Sequence, residues 1–165
     1  RKLGLKTILN LRGESPYGSY PLEVAACRDL GIALVDLTLY SRSPPSRRRI
    51  HLLKEAFDSI EYPALLHCKS GADRAGMAAA LYRILHLGHP VEEAAAELNW
   101  KYGHFKKART GVQDFFLASY VAHNARNPIG FLDWVDTVYD EKAMKKQFRA
   151  EGWASLLVDQ VLHRE

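Results

Sequence analysis

The feature that most constrains this chain is a short apolar run, Pro63-Ala64-Leu65-Leu66-His67, that breaks directly into Cys68-Lys69-Ser70-Gly71-Ala72-Asp73-Arg74-Ala75-Gly76. A run this short is too small for a helix and fits a strand buried on both faces, as in parallel sheets. A helical pattern follows it, with Met77, Leu81, Ile84 and Leu85 on one face and Gly88 at its end. Two more strand-like runs precede it. Thr7-Ile8-Leu9-Asn10-Leu11 is closed by Arg12-Gly13 and by the turn residues Ser15-Pro16-Tyr17-Gly18, and Ile32 to Leu39 reads as a second strand. Pro21 starts a helix that runs through Cys27 and stops at Gly31, and Ser46 caps another that carries Ile50, Leu53, Phe57 and Ile60. The order strand–helix–strand–helix–strand predicts right-handed crossovers and an α/β fold: a short, mainly parallel sheet flanked by helices.

The chain length of 165 residues suits one domain, and 47% hydrophobic with 25% charged residues excludes disordered and fibrous classes. No apolar run approaches the ~20 residues of a membrane span. Two cysteines, Cys27 and Cys68, are too few for a disulfide scaffold. A net charge of +4 favours anionic partners without calling for nucleic acid. Beyond Gly88, Pro90 with Glu92 and Glu93 starts a further helix, and Val112, Phe115, Phe116 and Tyr120 mark another that ends before Asn127. The tail carries an apolar helical stripe, Phe131, Val135, Val138, Met144, Phe148, Trp153, Leu157 and Val161.

Chemistry concentrates between His67 and Gly76. A loop joining a buried strand to a helix gathers backbone N–H groups at the helix N-terminus into an anion cradle. Gly71 permits a tight loop, and Gly76 lets the helix pack closely. A thiol at the rim of such a cradle is acidified, because amides and nearby cations stabilise the thiolate. Arg74 returns to the same side and offers a planar fork for two phosphate oxygens. Thiolate, amides of Lys69, Ser70, Gly71 and Ala72, and Arg74 together fit a nucleophile aimed at a tetrahedral dianion.

The His67-Cys68-x5-Arg74 arrangement resembles the signature of the cysteine-based protein tyrosine phosphatase superfamily, and most closely the small dual-specificity-like phosphatases of bacteria. The likeness extends to the strand Ile8-Leu9-Asn10-Leu11-Arg12-Gly13-Glu14. It assigns residues 1–125 to a phosphatase core and 126–165 to a C-terminal helical extension packed on the same domain. Members of that group carry an earlier strand and helix, which implies an N-terminal truncation here. The resemblance implies phosphomonoester hydrolysis through a cysteinyl-phosphate on Cys68, with no metal and no organic cofactor. The substrate would be a phosphotyrosine or phosphoserine protein, or a more anionic phospholipid, inositol or glycan phosphate. It implies a cytoplasmic protein without a membrane span, compatible with peripheral lipid contact; oligomeric state is not legible.

Two departures matter. Relatives carry Ser or Thr after the Arg, where this chain has Ala75, and relatives place an acidic Asp on the loop after the second strand. Here that loop, Tyr40-Ser41-Arg42-Ser43-Pro44-Pro45, holds no carboxylate. The general acid is therefore Asp73, at the loop position that myotubularin-like lipid phosphatases use, or else Asp36. The competing role for Asp73 is a salt bridge to Arg74 or Lys69, and that for Asp36 is pairing within a strand. These departures keep a phospho-ligand-binding pseudophosphatase in play. A rhodanese-like sulfurtransferase is the weaker rival, because its loop is one residue shorter.

His67 is expected to orient Cys68, and Arg12 either reaches substrate or pairs with Glu14. Cys27 is read as an inert hydrophobe, with a resolving thiol as the alternative. His86 and His89 are helix-end residues rather than metal ligands. Two acid-free basic segments, Ser41–Lys54 and Asn99–Gln113, are expected to rim the pocket, the second hinged at Gly103 and Gly111.

Overall fold

The computed structural model describes residues 2–150. Its centre is a three-stranded parallel sheet in the order β2-β1-β3, formed by Thr7–Asn10 (β1), Ala33–Asp36 (β2) and Ala64–His67 (β3). With partners on both sides, β1 is the most buried strand, and Leu9 is fully inaccessible. β2 is an edge strand and only half-buried. The predicted second strand is longer than the observed one. Leu37 and Leu39 still donate their amides to the carbonyls of Asn10 (3.0 Å) and Leu11 (3.1 Å), but the ladder ends at Asp36.

The crossover helices start and stop where local chemistry dictates. Tyr20–Leu30 (α1) has proline in its first turn and ends at Gly31, whose φ of +65° is the left-handed cap that glycine adopts freely. Arg47–Ser59 (α2) is capped by the Ser46 hydroxyl, which accepts the Arg49 amide at 3.4 Å. Asp73–Leu85 (α3) is the central helix, and its small residues Gly76, Ala78 and Ala80 let neighbours approach. Val91–Ala94 (α4) is a single turn that passes into a 3₁₀ turn, shorter than the helix expected there. Val112–Asn124 (α5) and Phe131–Thr137 (α6) complete the layer, and residues 141–150 are helical.

One apolar cluster joins the sheet to the helices. Leu9, Leu53, Phe57, Met77, Leu81, Phe116 and Leu117 pack in it with Phe131, Trp134, Val135, Tyr139 and Met144 from the tail. Phe116 alone meets the rings of Phe131, Trp134 and Tyr139 at centroid distances of 5.0–6.0 Å. Arg47 fastens the tail from α2, donating to the carbonyls of Val135 (2.9 Å) and Tyr139 (3.3 Å). The tail residues Trp153, Leu157 and Val161 lie outside the described residues. Among the described residues no helix is long and apolar enough to cross a membrane.

The register fixes where chemistry can occur. Asn10 pairs with Asp36 on one side and His67 on the other, so these three residues line the C-terminal edge of the sheet. Cys68 is the next residue out, at the edge where parallel α/β sheets place their ligands.

Candidate active site

Cys68 stands between the end of β3 and the start of α3, and Gly71 in the connecting loop has a φ of +69°. That conformation is cheap only for glycine, and it turns the chain so that successive amides face inward. No side chain caps α3. Instead, the backbone N–H groups of Ser70, Ala75 and Gly71 point at the Cys68 sulfur. Close packing behind the loop explains Gly76: a β-carbon there would come within 2.9 Å of the Glu97 carbonyl oxygen and 3.2 Å of Leu98.

Burial pushes the Cys68 thiol up, but the three amides and the Arg74 charge outweigh it, and its pKa falls below the ordinary thiol value. The sign has a direct consequence. Alkylation of Cys68 by iodoacetamide is expected to reach its plateau at lower pH than that of a free thiol, and phosphate or vanadate should protect it. A midpoint at or above that of free cysteine would contradict the amide cradle.

Arg74 is half-buried at the start of α3, and among the described residues no carboxylate pairs with it. Its guanidinium therefore keeps its fork available for an oxyanion. Lys69, Ser70 and Gly71 are exposed, whereas Ala72 is buried, and a β-carbon on Gly103 would stand 3.8 Å from that of Ala72. The 99–113 segment thus lies against the loop.

The two candidate acids have different surroundings. Asp36 accepts from Asn10 Nδ2 at 2.7 Å and from the Tyr20 hydroxyl at 2.6 Å, so both oxygens are engaged. Its hydrogen bond to Asp36 is the main reason the Tyr20 phenol is pushed up to about 12. Two strand spacings also put the Asp36 backbone about 10 Å from that of His67. Asp73 is in the loop itself. The competing role, a salt bridge to Arg74 or Lys69, has no counterpart among the described residues. Its Oδ1 lies 2.8 Å from His104 Nδ1, and His104 Nε2 lies 2.5 Å from Asp114 Oδ2. In the sequence His104 is one residue of the basic 99–113 segment, and nothing local to it signals this pairing. Its side chain is 1% exposed.

The basic rim is correspondingly narrower than expected. Within 41–54, Arg47 binds tail carbonyls, and Arg49 donates to the Thr38 carbonyl at 2.6 Å and lies 4.4 Å over the Tyr40 ring. Lys54 pairs with Asp58. Arg47 and Arg49 thus fasten α2 to the tail and to the loop before it, whereas Arg42 and Arg48 are exposed. In 99–113, Lys101, Lys107 and Arg109 remain exposed beside Trp100, Tyr102 and Phe105, which are 77%, 57% and 62% exposed. A cleft of about 510 Å³ is lined by Trp100, His104, Phe105, Lys106 and Lys107. Gly111 is packed rather than hinged: a β-carbon there would overlap the Lys106 carbonyl.

Remaining candidates fall into place around the loop. His67 Nε2 lies 2.7 Å from Glu23 Oε1 of α1 without the geometry of a hydrogen bond. Cys27 is buried, and burial with the Glu23 charge pushes its thiol up, which suits the inert reading. Arg12 is exposed and makes no ion pair with Glu14 among the described residues. His86 bonds Asp58 at 3.2 Å and stacks on Tyr82, and His89 faces Arg83. Among the described residues no group of three or more His, Cys, Asp or Glu is placed to hold a metal.

Residues 1–115 match the model of the family described as the DSP-PTPase phosphatase fused to NAD+ kinase. The chain belongs to this phosphatase family. It is accordingly a cysteine-dependent phosphatase of the dual-specificity type. Solved structures agree on the fold. P. aeruginosa TpbA, as a cysteine-to-serine variant in complex with pTyr, shares 20% identity over 81% of this chain and 72% of its own, with a TM-score of 0.54. Kinase associated phosphatase, with its catalytic site cysteine replaced by serine, shares 17% identity over 76% of this chain and 74% of its own, with a TM-score of 0.53. No curated protein matches the sequence.

Proposed function

We propose that this phosphatase hydrolyses phosphomonoesters through a cysteinyl-phosphate on Cys68. One observation carries the reading: an acidified thiol faces three backbone amides, with the Arg74 guanidinium beside it free of any carboxylate among the described residues. Cys68 Sγ attacks phosphorus while the P–O bond to the leaving group breaks. The loop amides and Arg74 hold the equatorial oxygens, where charge is spread in the transition state. Asp73 Oδ2 gives its proton to the leaving oxygen. In the second step water attacks phosphorus, Asp73 takes its proton, and the S–P bond breaks to return the thiolate. Asp36 is a poor alternative, since both its oxygens already accept hydrogen bonds.

Substrate class follows from the rim. Exposed Lys101, Lys107 and Arg109 beside the exposed rings of Trp100, Tyr102 and Phe105 suit a phosphate ester whose carrier is itself anionic and partly apolar. A phospholipid or inositol phosphate fits that description better than a neutral phosphopeptide. The TpbA complex with pTyr makes phosphotyrosine the natural comparison substrate. Rates on a phosphotyrosine peptide, a phosphoinositide and a phosphorylated sugar decide among them. Preference for the peptide at all salt concentrations would overturn the polyanion reading.

Asp73→Asn tests the acid. Alkyl phosphates need a protonated leaving oxygen and should lose about 10²–10⁴-fold, whereas activated aryl phosphates should lose little. Equal losses on both would move the acid elsewhere.

Ala75 supports a second expectation, and it is also the observation that favours a phosphate-binding protein with little turnover. No hydroxyl follows Arg74 to stabilise the departing thiolate, so breakdown of the phosphoenzyme should limit the rate. An aryl phosphate should then give a burst of phenol followed by a slow steady state. Ala75→Thr should raise the steady state several-fold and shrink the burst. Neither burst nor turnover would favour the binding protein.

A further inference from the structure

His104 is the most deeply buried ionisable side chain near the catalytic loop, and both its ring nitrogens face carboxylates. Nδ1 lies 2.8 Å from Asp73 Oδ1, and Nε2 lies 2.5 Å from Asp114 Oδ2. Asp114 also faces the Lys106 ammonium at 3.7 Å. Asp73 begins α3, His104 follows the 3₁₀ turn Trp100–Tyr102, and Asp114 is in the first turn of α5. Three separate elements therefore meet at one imidazole beside the loop, and leaving such a group inaccessible to water requires good partners.

We propose that His104, anchored by Asp114, is a positioning residue that holds Asp73 ready to deliver its proton to the leaving group. This rests on the reading of Asp73 as the general acid. With an N–H on each ring nitrogen, Nε2–H donates to Asp114 Oδ2 and Nδ1–H donates to Asp73 Oδ1. Oδ1 is then occupied as an acceptor, and a proton taken up by Asp73 is carried on Oδ2, which has no hydrogen-bond partner among the described residues. When Oδ2 gives that proton to the leaving oxygen, the bonding pair of the P–O bond goes to that oxygen. The new carboxylate finds the Nδ1–H donor already in place. Lys106 faces Asp114 on the far side of the ring at 3.7 Å.

The arrangement also accounts for the 99–113 segment. His104 ties that segment to the loop, and the cleft next to the imidazole is lined by Trp100, Phe105, Lys106 and Lys107.

The test compares His104→Asn, His104→Gln and Asp114→Asn on an alkyl phosphate and on an activated aryl phosphate. A charge-assisted hydrogen bond lost from Asp73 should cost the alkyl substrate about ten- to hundred-fold in kcat, with KM nearly unchanged. The aryl substrate should change by less than about three-fold, a split that general loosening of the structure would not produce. His104→Asn retains a donor near the Nδ1 position and should recover part of the alkyl activity that His104→Gln loses. If the His104 variants fail to fold, Asp114→Asn decides, because it changes the partner on the far side of the ring and leaves Asp73 itself untouched. In an Asp73→Asn background these changes should add nothing on the alkyl substrate. If Asp73→Asn shows the leaving-group split but Asp114→Asn and the folded His104 variants do not, the proposal is overturned and the acid assignment stands. If Asp73→Asn shows no split, the acid assignment falls, and the proposal with it.

Discussion

Cys68→Ser is expected to lower turnover by at least about 10⁴-fold while phosphate and vanadate still bind. The hydroxyl occupies nearly the same volume as the thiol, so β3, the loop and α3 have no reason to move. What disappears is the ionised nucleophile. The amides of Ser70, Gly71 and Ala75 acidify a thiol enough to populate its anion, but the same surroundings act on an alcohol that starts far less acidic. The cradle stays, with one negative charge fewer at its rim, and anion affinity should hold or rise. Turnover comparable to the parent enzyme would mean that another group attacks phosphorus.

Arg74→Lys should cost about 10²–10³-fold in kcat/KM, although the positive charge is kept. A lysine ammonium is a point charge that makes one directed contact, whereas the guanidinium spans two oxygens at once. Because charge survives, Cys68 should remain acidified, and its alkylation profile against pH should move little. That separates the fork from the charge: Arg74→Ala should lose both and shift alkylation upward. If Arg74→Lys retained full activity, the guanidinium would serve the thiol's charge alone and not the phosphate.

The central part of this molecule was legible because its physics is local. Ala64–His67 is too short for a helix and forms the expected strand, although as a sheet edge it is only partly buried and Leu65 is 44% exposed; Gly31 ends α1 in the conformation glycine favours, and Ser46 caps α2. The Cys68 loop could be placed for the same reason, since a tight strand-to-helix turn needs Gly71 and leaves amides facing the sulfur. The roles of charged side chains were not legible, because they depend on what tertiary contacts bring near. Arg47 and Arg49 looked like rim charges and instead bind carbonyls 88 and 11 residues away in sequence. His104 looked like one more cation in a basic segment. Only the fold shows that Asp73, 31 residues earlier, and Asp114, 10 residues later, converge on its ring. The acid-free stretch 99–113, ending immediately before Asp114, was the one available hint.

The measurement that tests the account most directly is rapid mixing with a labelled aryl phosphate, acid quenching before the first turnover ends, and mapping of the label. Phosphate is expected on Cys68 in close to one equivalent per enzyme, diminished in Ala75→Thr and absent in Cys68→Ser. Release of phosphate with no label on Cys68 at any time, or label on a different residue, would contradict it.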